Sequence, residues 1–254
     1  VSFPLVFHFG PIALPAHLIF ELLAFTLGFQ YFLRLRKPEA DPISNLNRLW
    51  ILLGATMGAL FGSRLLGALE APDLFFSGKA GWLYYYQSKT IVGGLLGGLI
   101  GVETIKKIIG ESQSSGDLFT YPIILGMIIG RIGCFTSGVS EPTYGLPSSL
   151  PWAMDLGDGI FRHPTALYEI VFLILLWLSL RRADRSFHLL SGARFKLFMT
   201  GYLFYRFAVE FIRPGQPVIL GLNVIQLACL GGLIYYRKVY LRPATLTFEP
   251  VSST

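Results

Sequence analysis

Charge is scarce in this chain. Of its 254 residues 14% are charged, where a soluble domain carries about 25%. That excludes a water-soluble globular domain of ordinary composition. Cysteine is nearly absent. Cys134 and Cys229 both lie in apolar segments, and there is no CxxC and no Cys/His pair at metal-ligand spacing. A disulfide between them is possible but has no support from spacing, and nothing points to a cysteine-built metal centre. No internal repeat or low-complexity segment is visible, which argues against a solenoid and against the two-halved layout of many secondary transporters. The formal charge of +6 is spread over connections, with no aromatic-studded basic stripe. It reads as membrane topology, and nucleic acid is not an expected partner. The first apolar run has no basic segment before it, so it lacks the layout of a cleavable signal peptide. The opening Val1 fits a GTG start translated literally or a trimmed chain.

Apolar residues make up 53% of the chain, and its mean hydropathy is +0.57. Runs of about 20 apolar residues suit membrane-crossing helices. Seven such spans are expected, at roughly 12–33, 49–69, 90–110, 118–138, 165–182, 196–212 and 217–236. The fold class is all-α and polytopic, one integral-membrane domain over residues 1–254. Basic residues set its orientation. Connections after spans one, three, five and seven carry Arg34, Arg36, Lys37, Arg48, Lys106, Lys107, Arg181, Arg182, Arg185, Arg194, Lys196, Arg237, Lys238 and Arg242. The opposite side carries Lys79, Lys89, Arg162 and Arg213. The positive-inside rule places the amino terminus outside and the carboxyl terminus in the cytoplasm. Two outward connections are long. Residues 70–89 hold Trp82 and Tyr84–Tyr86, and residues 139–164 hold Trp152, Asp155 and Asp158. Their aromatics suit an interfacial belt. The polar tail after Arg242 is expected to fray.

Spans two and three repeat glycine every four residues: Gly54, Gly58 and Gly62, then Gly93, Gly97 and Gly101. This small-xxx-small pattern lets helices approach closely. The segment Gly130–Gly138, GRIGCFTSG, ends the apolar run from Leu118 to Ile129 and sets Arg131 at membrane depth. An ionised residue there is paired or faces a ligand-filled cavity. The glycines around it leave space for an anionic group, and in a membrane the commonest is a lipid phosphate. Span six reads GYLFYRFAVEFIR, with Tyr202, Arg206, Glu210 and Arg213 on one helix face. Arg206 and Glu210 neutralising each other is the plainest account. Yet Arg213, Arg64 and Arg131 remain as surplus cations, and arginine's planar fork suits phosphate. Span five opens on RHPTALYE. His163 there is a cap or bridge, or a proton carrier, and Glu169 is a partner for an arginine.

These motifs resemble the prolipoprotein diacylglyceryl transferase family. The resemblance runs through FHFGPIAL (7–14), Gly62-Ser63-Arg64, VGGLLGG (92–98), GRIGCF (130–135), HPTALYE (163–169) and YRFAVEFIR (205–213). It implies transfer of a diacylglyceryl group from phosphatidylglycerol to the cysteine of a lipoprotein precursor's signal peptide, with glycerol phosphate leaving. Arg131, Arg206 and Arg64 would hold the phosphate, with Arg213 beside them. Glu210 and Tyr202 would orient the arginines or shuttle a proton, and Glu169 would pair within the site. Gly133, Gly138 and Gly145 would shape the cavity and its entrance. No metal or organic cofactor is implied. The chain also departs from the family. Val92 precedes Gly93-Gly94 where histidine is usual, Cys134 replaces an asparagine, Ser137-Gly138-Val139 replaces Asn-Gly-Glu, with Glu141 the alternative for its acid after a short insertion, and His17 stands for an early tyrosine. Two readings follow. Either His17 or His163 supplies the missing base, or the site binds anionic lipid and transfers to another acceptor or not at all. An anion transporter is the third class.

Overall fold

The computed structural model describes residues 3–10, 12–37 and 41–250. Val1, Pro11 of the FHFGPIAL motif and the last four residues of the tail lie outside the described residues. The protein is mostly helical. A hairpin of β1 (Val6–Phe9) and β2 (Ile12–Pro15) leads into α1 (Ala16–Leu35). Then follow α2 (Asn45–Ala68), the short α3 (Pro72–Phe76) and α4 (Trp82–Gln87), α5 (Ile91–Ile109) and α6 (Asp117–Ser137). A two-residue pair, β3 (Met154–Asp155) with β4 (Phe161–Arg162), sits in the long connection before α7 (Thr165–Ser186). The chain continues through β5 (Phe187–Leu189), α8 (Ala193–Val209), α9 (Val224–Tyr235), α10 (Arg237–Leu241) and β6 (Thr247–Pro250). All three strand pairs are antiparallel.

Each expected apolar span holds a helix, and three of these are long and apolar enough to cross a membrane: α1, α2 and α6. Local chemistry sets their ends. Ser44 caps α2 by accepting from the Asn47 N–H, and Thr90 caps α5 by accepting from the Gly93 N–H. Two expected ends shift inward. Residues 12–15 pair as a strand, so α1 starts at Ala16. The last apolar run is cut at Val224, because Asn223 and Gln226 form a reciprocal capping box there. The tail does not fray through residue 250, since β6 pairs with β5.

The two glycine series meet face to face. A Cβ on Gly58 would lie 2.2 Å from the Gly97 carbonyl, and one on Gly101 would lie 2.1 Å from that of Gly54. With Gly62 against Gly93, this is an antiparallel register that brings two backbones into contact. A second pair, α1 on α6, stacks Phe32 on Phe119 at 4.7 Å. Between these pairs and α7–α9 lies the core, including Ile124, Leu173, Phe198, Met199, Leu203, Ile225 and Cys229. Large apolar side chains stand exposed on the outer faces, among them Phe25, Phe61, Ile100, Leu175 and Phe204. Outward apolar faces and inward ionic groups invert the usual soluble pattern.

Candidate active site

Glu169 is the centre of a buried ionic cluster. It lies one turn into α7 and is 2% exposed. Its Oε1 is 2.8 Å from Arg131 Nε of α6 and accepts a 2.8 Å hydrogen bond from the Tyr202 hydroxyl of α8. Its Oε2 is 3.6 Å from Arg206 Nη1. Arg206 also donates through Nη2 to Glu210 Oε1, which Arg213 Nη1 reaches at 2.9 Å. The other oxygen of Glu210 accepts from Asn223 Nδ2 at 3.0 Å, and Arg213 Nη2 donates to the Pro142 carbonyl at 2.6 Å. Three guanidiniums thus face two carboxylates, and the cluster carries one surplus positive charge. The Nε groups of Arg206 and Arg213 and the Tyr205 hydroxyl are buried with no hydrogen-bond partner among the described residues. A buried donor left unpaired costs about 1–3 kcal/mol, so a cationic, donor-rich site of this kind favours an anion with several acceptor oxygens.

The expected single helix face is only partly realised. The α-helix ends at Val209, and Glu210–Ile212 form a 3₁₀ turn. That tighter turn still brings Glu210 under both Arg206 and Arg213. Arg64 is not brought into the cluster. Its guanidinium lies over the Tyr86 ring of α4, 5.6 Å from the centroid.

The expected glycines mark close backbone approaches beside the cluster. Gly138 ends α6 at φ +57°, and a Cβ there would fall 2.1 Å from the Leu156 carbonyl. At Gly145 a Cβ would meet His163 Cβ at 2.5 Å and the Ile212 carbonyl at 3.0 Å, tying the outer connection to the turn that holds Glu210. Gly133 makes room for Phe20 and His17 of α1. His17 Nε2 lies 3.9 Å from both Glu21 Oε2 and Glu141 Oε1. Lys89 lies 3.4 Å from the other Glu21 oxygen. His163 is engaged differently, with Nδ1 3.2 Å from the Tyr168 hydroxyl, which also accepts from the Trp152 indole N–H. Cys134 Sγ accepts from Arg131 Nη1 at 3.7 Å, and both cysteines are free thiols. Among the described residues no group of three or more His, Cys, Asp or Glu is gathered to hold a metal ion.

The sequence profile described as prolipoprotein diacylglyceryl transferase matches residues 4–240. The chain belongs to the prolipoprotein diacylglyceryl transferase family. It is similar to the phosphatidylglycerol–prolipoprotein diacylglyceryl transferase of Methylococcus capsulatus, at 32% identity over 73% of this chain and 70% of that protein. The protein of the same name from Cupriavidus metallidurans is 30% identical over 89% of this chain and 85% of its own length. That of Idiomarina loihiensis is 30% identical over 83% and 80%.

In this member of the prolipoprotein diacylglyceryl transferase family, four groups of the site escape a motif search. Asn223 carries a capping signature, Asn then Gln three residues on, which announces a helix start and not a partner for Glu210. Tyr205 opens the YRFAVEFIR motif but nothing in the sequence assigns it a place in the cluster, and the Pro142 carbonyl carries no signal at all. Glu70 directly follows α2, and its carboxyl is pushed up to about 7. Desolvation is the main cause and the charge of Glu210 adds to it, against the pull of Arg213 and Arg206. Glu70 is exposed on one side, which screens part of this effect. A lone acid at the end of an apolar run was its only trace in the sequence.

Proposed function

We propose that this chain is a phospholipid-dependent transferase that moves a diacylglyceryl group from phosphatidylglycerol to the lipobox cysteine of a lipoprotein precursor's signal peptide. It does so from within the bacterial inner membrane. On this reading the seven helices of the apolar runs lie in the bilayer as one domain, amino terminus outside and carboxyl terminus in the cytoplasm. The distribution of lysine and arginine and the exposed apolar helix faces support it.

The observation that carries the proposal is the buried cluster of Arg131, Arg206 and Arg213 against Glu169 and Glu210. A phosphodiester brings one negative charge, which matches the surplus cation. In the reaction the acceptor sulfur forms a bond to the terminal glycerol carbon of the lipid, and the bond from that carbon to the phosphate oxygen breaks. Glycerol phosphate departs with one more negative charge than the phosphodiester, and the thiol proton is released. Cations aimed at the growing phosphate charge stabilise the transition state more than the ground state. Arg131 and Arg206 serve that purpose, while Glu169, Glu210 and Tyr202 fix their orientation. Arg213 ties the site to the outer connection through Pro142. His17, with two carboxylates at 3.9 Å, is the group suited to carry the thiol proton. His163 is already engaged with Tyr168.

A second reading keeps the lipid and changes the acceptor. It is favoured by Val92 before Gly93-Gly94, by Leu96 before Gly97-Gly98, and by Cys134 against Arg131, since both double glycines of α5 lack a preceding base. One assay separates the two. Purified protein in detergent is incubated with labelled phosphatidylglycerol and a lipobox peptide, and the peptide cysteine is examined by mass spectrometry. A diacylglyceryl adduct that falls about 100-fold or more in Arg131→Ala supports the transferase. An adduct undiminished in Arg131→Ala sinks the role given to the cluster. Lipid binding without an adduct supports the second reading.

A further inference from the structure

The far end of α7 carries a second cationic feature, which the transfer reaction leaves unused. Ile174, Leu175 and Leu178 lie three, four and seven residues beyond Val171, on one helix face, and all four are exposed. The same stripe continues into Arg182 and Arg185. It is therefore apolar over about two turns and cationic over the last. Beside it lies a groove of about 400 Å³ lined by Trp177, Leu178, Arg181, Arg182, Arg185 and Ser186. Arg181 is held in place: its Nη2 donates to the Tyr31 hydroxyl of α1 at 3.3 Å, and its guanidinium lies 4.9 Å from the Tyr121 ring centroid of α6. Trp177 stacks on Tyr31 with centroids 5.9 Å apart. The nearby acid, Asp184, is already occupied by Arg194 at 3.0 Å and by the Tyr121 hydroxyl. Its charge does not cancel the groove. Arg182 and Arg185 make no hydrogen bond or ion pair among the described residues.

We infer that this groove binds an anionic phospholipid of the cytoplasmic leaflet, distinct from the lipid consumed in the reaction. The phosphate sits among Arg181, Arg182 and Arg185, and an acyl chain runs along Leu178, Leu175, Ile174 and Val171. Shape and charge agree only for an amphiphile, because a soluble phosphate has no use for the apolar stripe. Arg181 lies twelve residues beyond Glu169, about 18 Å along the helix, so the two sites do not share a ligand. Arginines immediately cytoplasmic of an apolar helix attract anionic headgroups in general. Here three converge on one groove, one of them fixed by two tyrosines. The inference rests on the membrane reading of the chain and not on the transferase chemistry.

The test uses Trp177 as a local reporter. A variant with Trp50, Trp82 and Trp152 changed to phenylalanine is placed in bilayers of phosphatidylcholine. Brominated phosphatidylglycerol or brominated phosphatidylcholine is then titrated in, and Trp177 fluorescence is followed. The anionic lipid should quench at lower mole fraction. Arg182→Gln with Arg185→Gln should weaken that preference about tenfold, while Arg182→Lys with Arg185→Lys retains most of it. Arg131→Ala should leave it unchanged. Equal quenching by the two lipids, or no effect of the double glutamine variant, overturns the site. So does displacement of the anionic lipid by millimolar glycerol phosphate, which would make the groove a soluble-phosphate site. A reporter protein that fails to enter bilayers sinks the membrane reading itself. The transfer assay with Arg182→Gln and Arg185→Gln reads the chemistry separately.

Discussion

Replacing Glu169 by glutamine removes one negative charge from the middle of the arginine cluster while keeping the side-chain shape. The Tyr202 hydroxyl can still donate to the amide oxygen, so the perturbation is electrostatic. Arg131 loses its partner at 2.8 Å and Arg206 one of two, which raises the surplus from one positive charge to two. Removing one member of a buried pair costs about 3–5 kcal/mol. At roughly 2–4 °C per kcal/mol for a chain of this size, the variant should melt about 6–20 °C below the wild type in detergent. An anion bound by the cluster should restore part of that loss. Phosphatidylglycerol at about 100 times its Kd stabilises either protein by about 2.7 kcal/mol, and the second surplus charge should tighten binding to the variant, so the deficit should narrow as lipid is added. Zwitterionic lipid should not narrow it. Arg131→Met combined with Glu169→Gln should cost less than the two single changes added, by about 0.5–3 kcal/mol. The measurements are thermal unfolding with and without lipid and the double-mutant cycle. A Glu169→Gln protein melting within about 2 °C of the wild type, or strict additivity in the cycle, would refute a carboxylate-centred cluster.

Arg206→Lys should reduce adduct formation nearly as far as Arg206→Ala, because a point charge cannot address Glu169, Glu210 and a phosphate at once; full activity in the lysine variant would leave charge neutralisation as the whole role. Gly58→Ala should destabilise the α2–α5 pair by about 1–3 kcal/mol or more, since its Cβ would fall 2.2 Å from the Gly97 carbonyl. Gly98→Ala, with its nearest neighbour at 3.5 Å, should be nearly neutral; equal melting temperatures for the two variants would contradict the observed register. Glu70 gives a pH dependence. Its carboxyl holds a proton up to about pH 7 in the folded protein, against an ordinary 4.5. Its contribution to stability is therefore complete below pH 4.5 and lost as pH rises through about 7. Over the same rise it gains a negative charge near Arg213 and Arg206, so lipid affinity should fall. Glu70→Gln should flatten both profiles between pH 5 and 8, and binding isotherms across that range would reveal a pH dependence that survives the substitution.

Composition and periodicity alone established much of this protein. Scarce charge and seven apolar runs announced the helices, because a chain with so few polar groups must satisfy its backbone within each segment. The four-residue glycine rhythm announced a close helix pair, and the arginines within apolar runs announced a buried ionic cluster. All of these are short-range signals, carried by residues within a few turns of one another. The tertiary structure alone decided how the ionic groups are shared. Glu169 answers Arg131 and Arg206 from a different helix, Glu210 takes Asn223 from beyond a turn, and Arg64 turns aside to Tyr86. Nothing in local spacing ranks these pairings, since each depends on where three or four packed helices put their side chains. The same holds for the raised carboxyl of Glu70, which is a property of its surroundings and not of its neighbours in sequence. Helix ends fell between the two. The Asn223 capping box was written in the sequence, whereas the strand pairings that fix the start of α1 and hold the tail through residue 250 required partners that only the folded chain supplies.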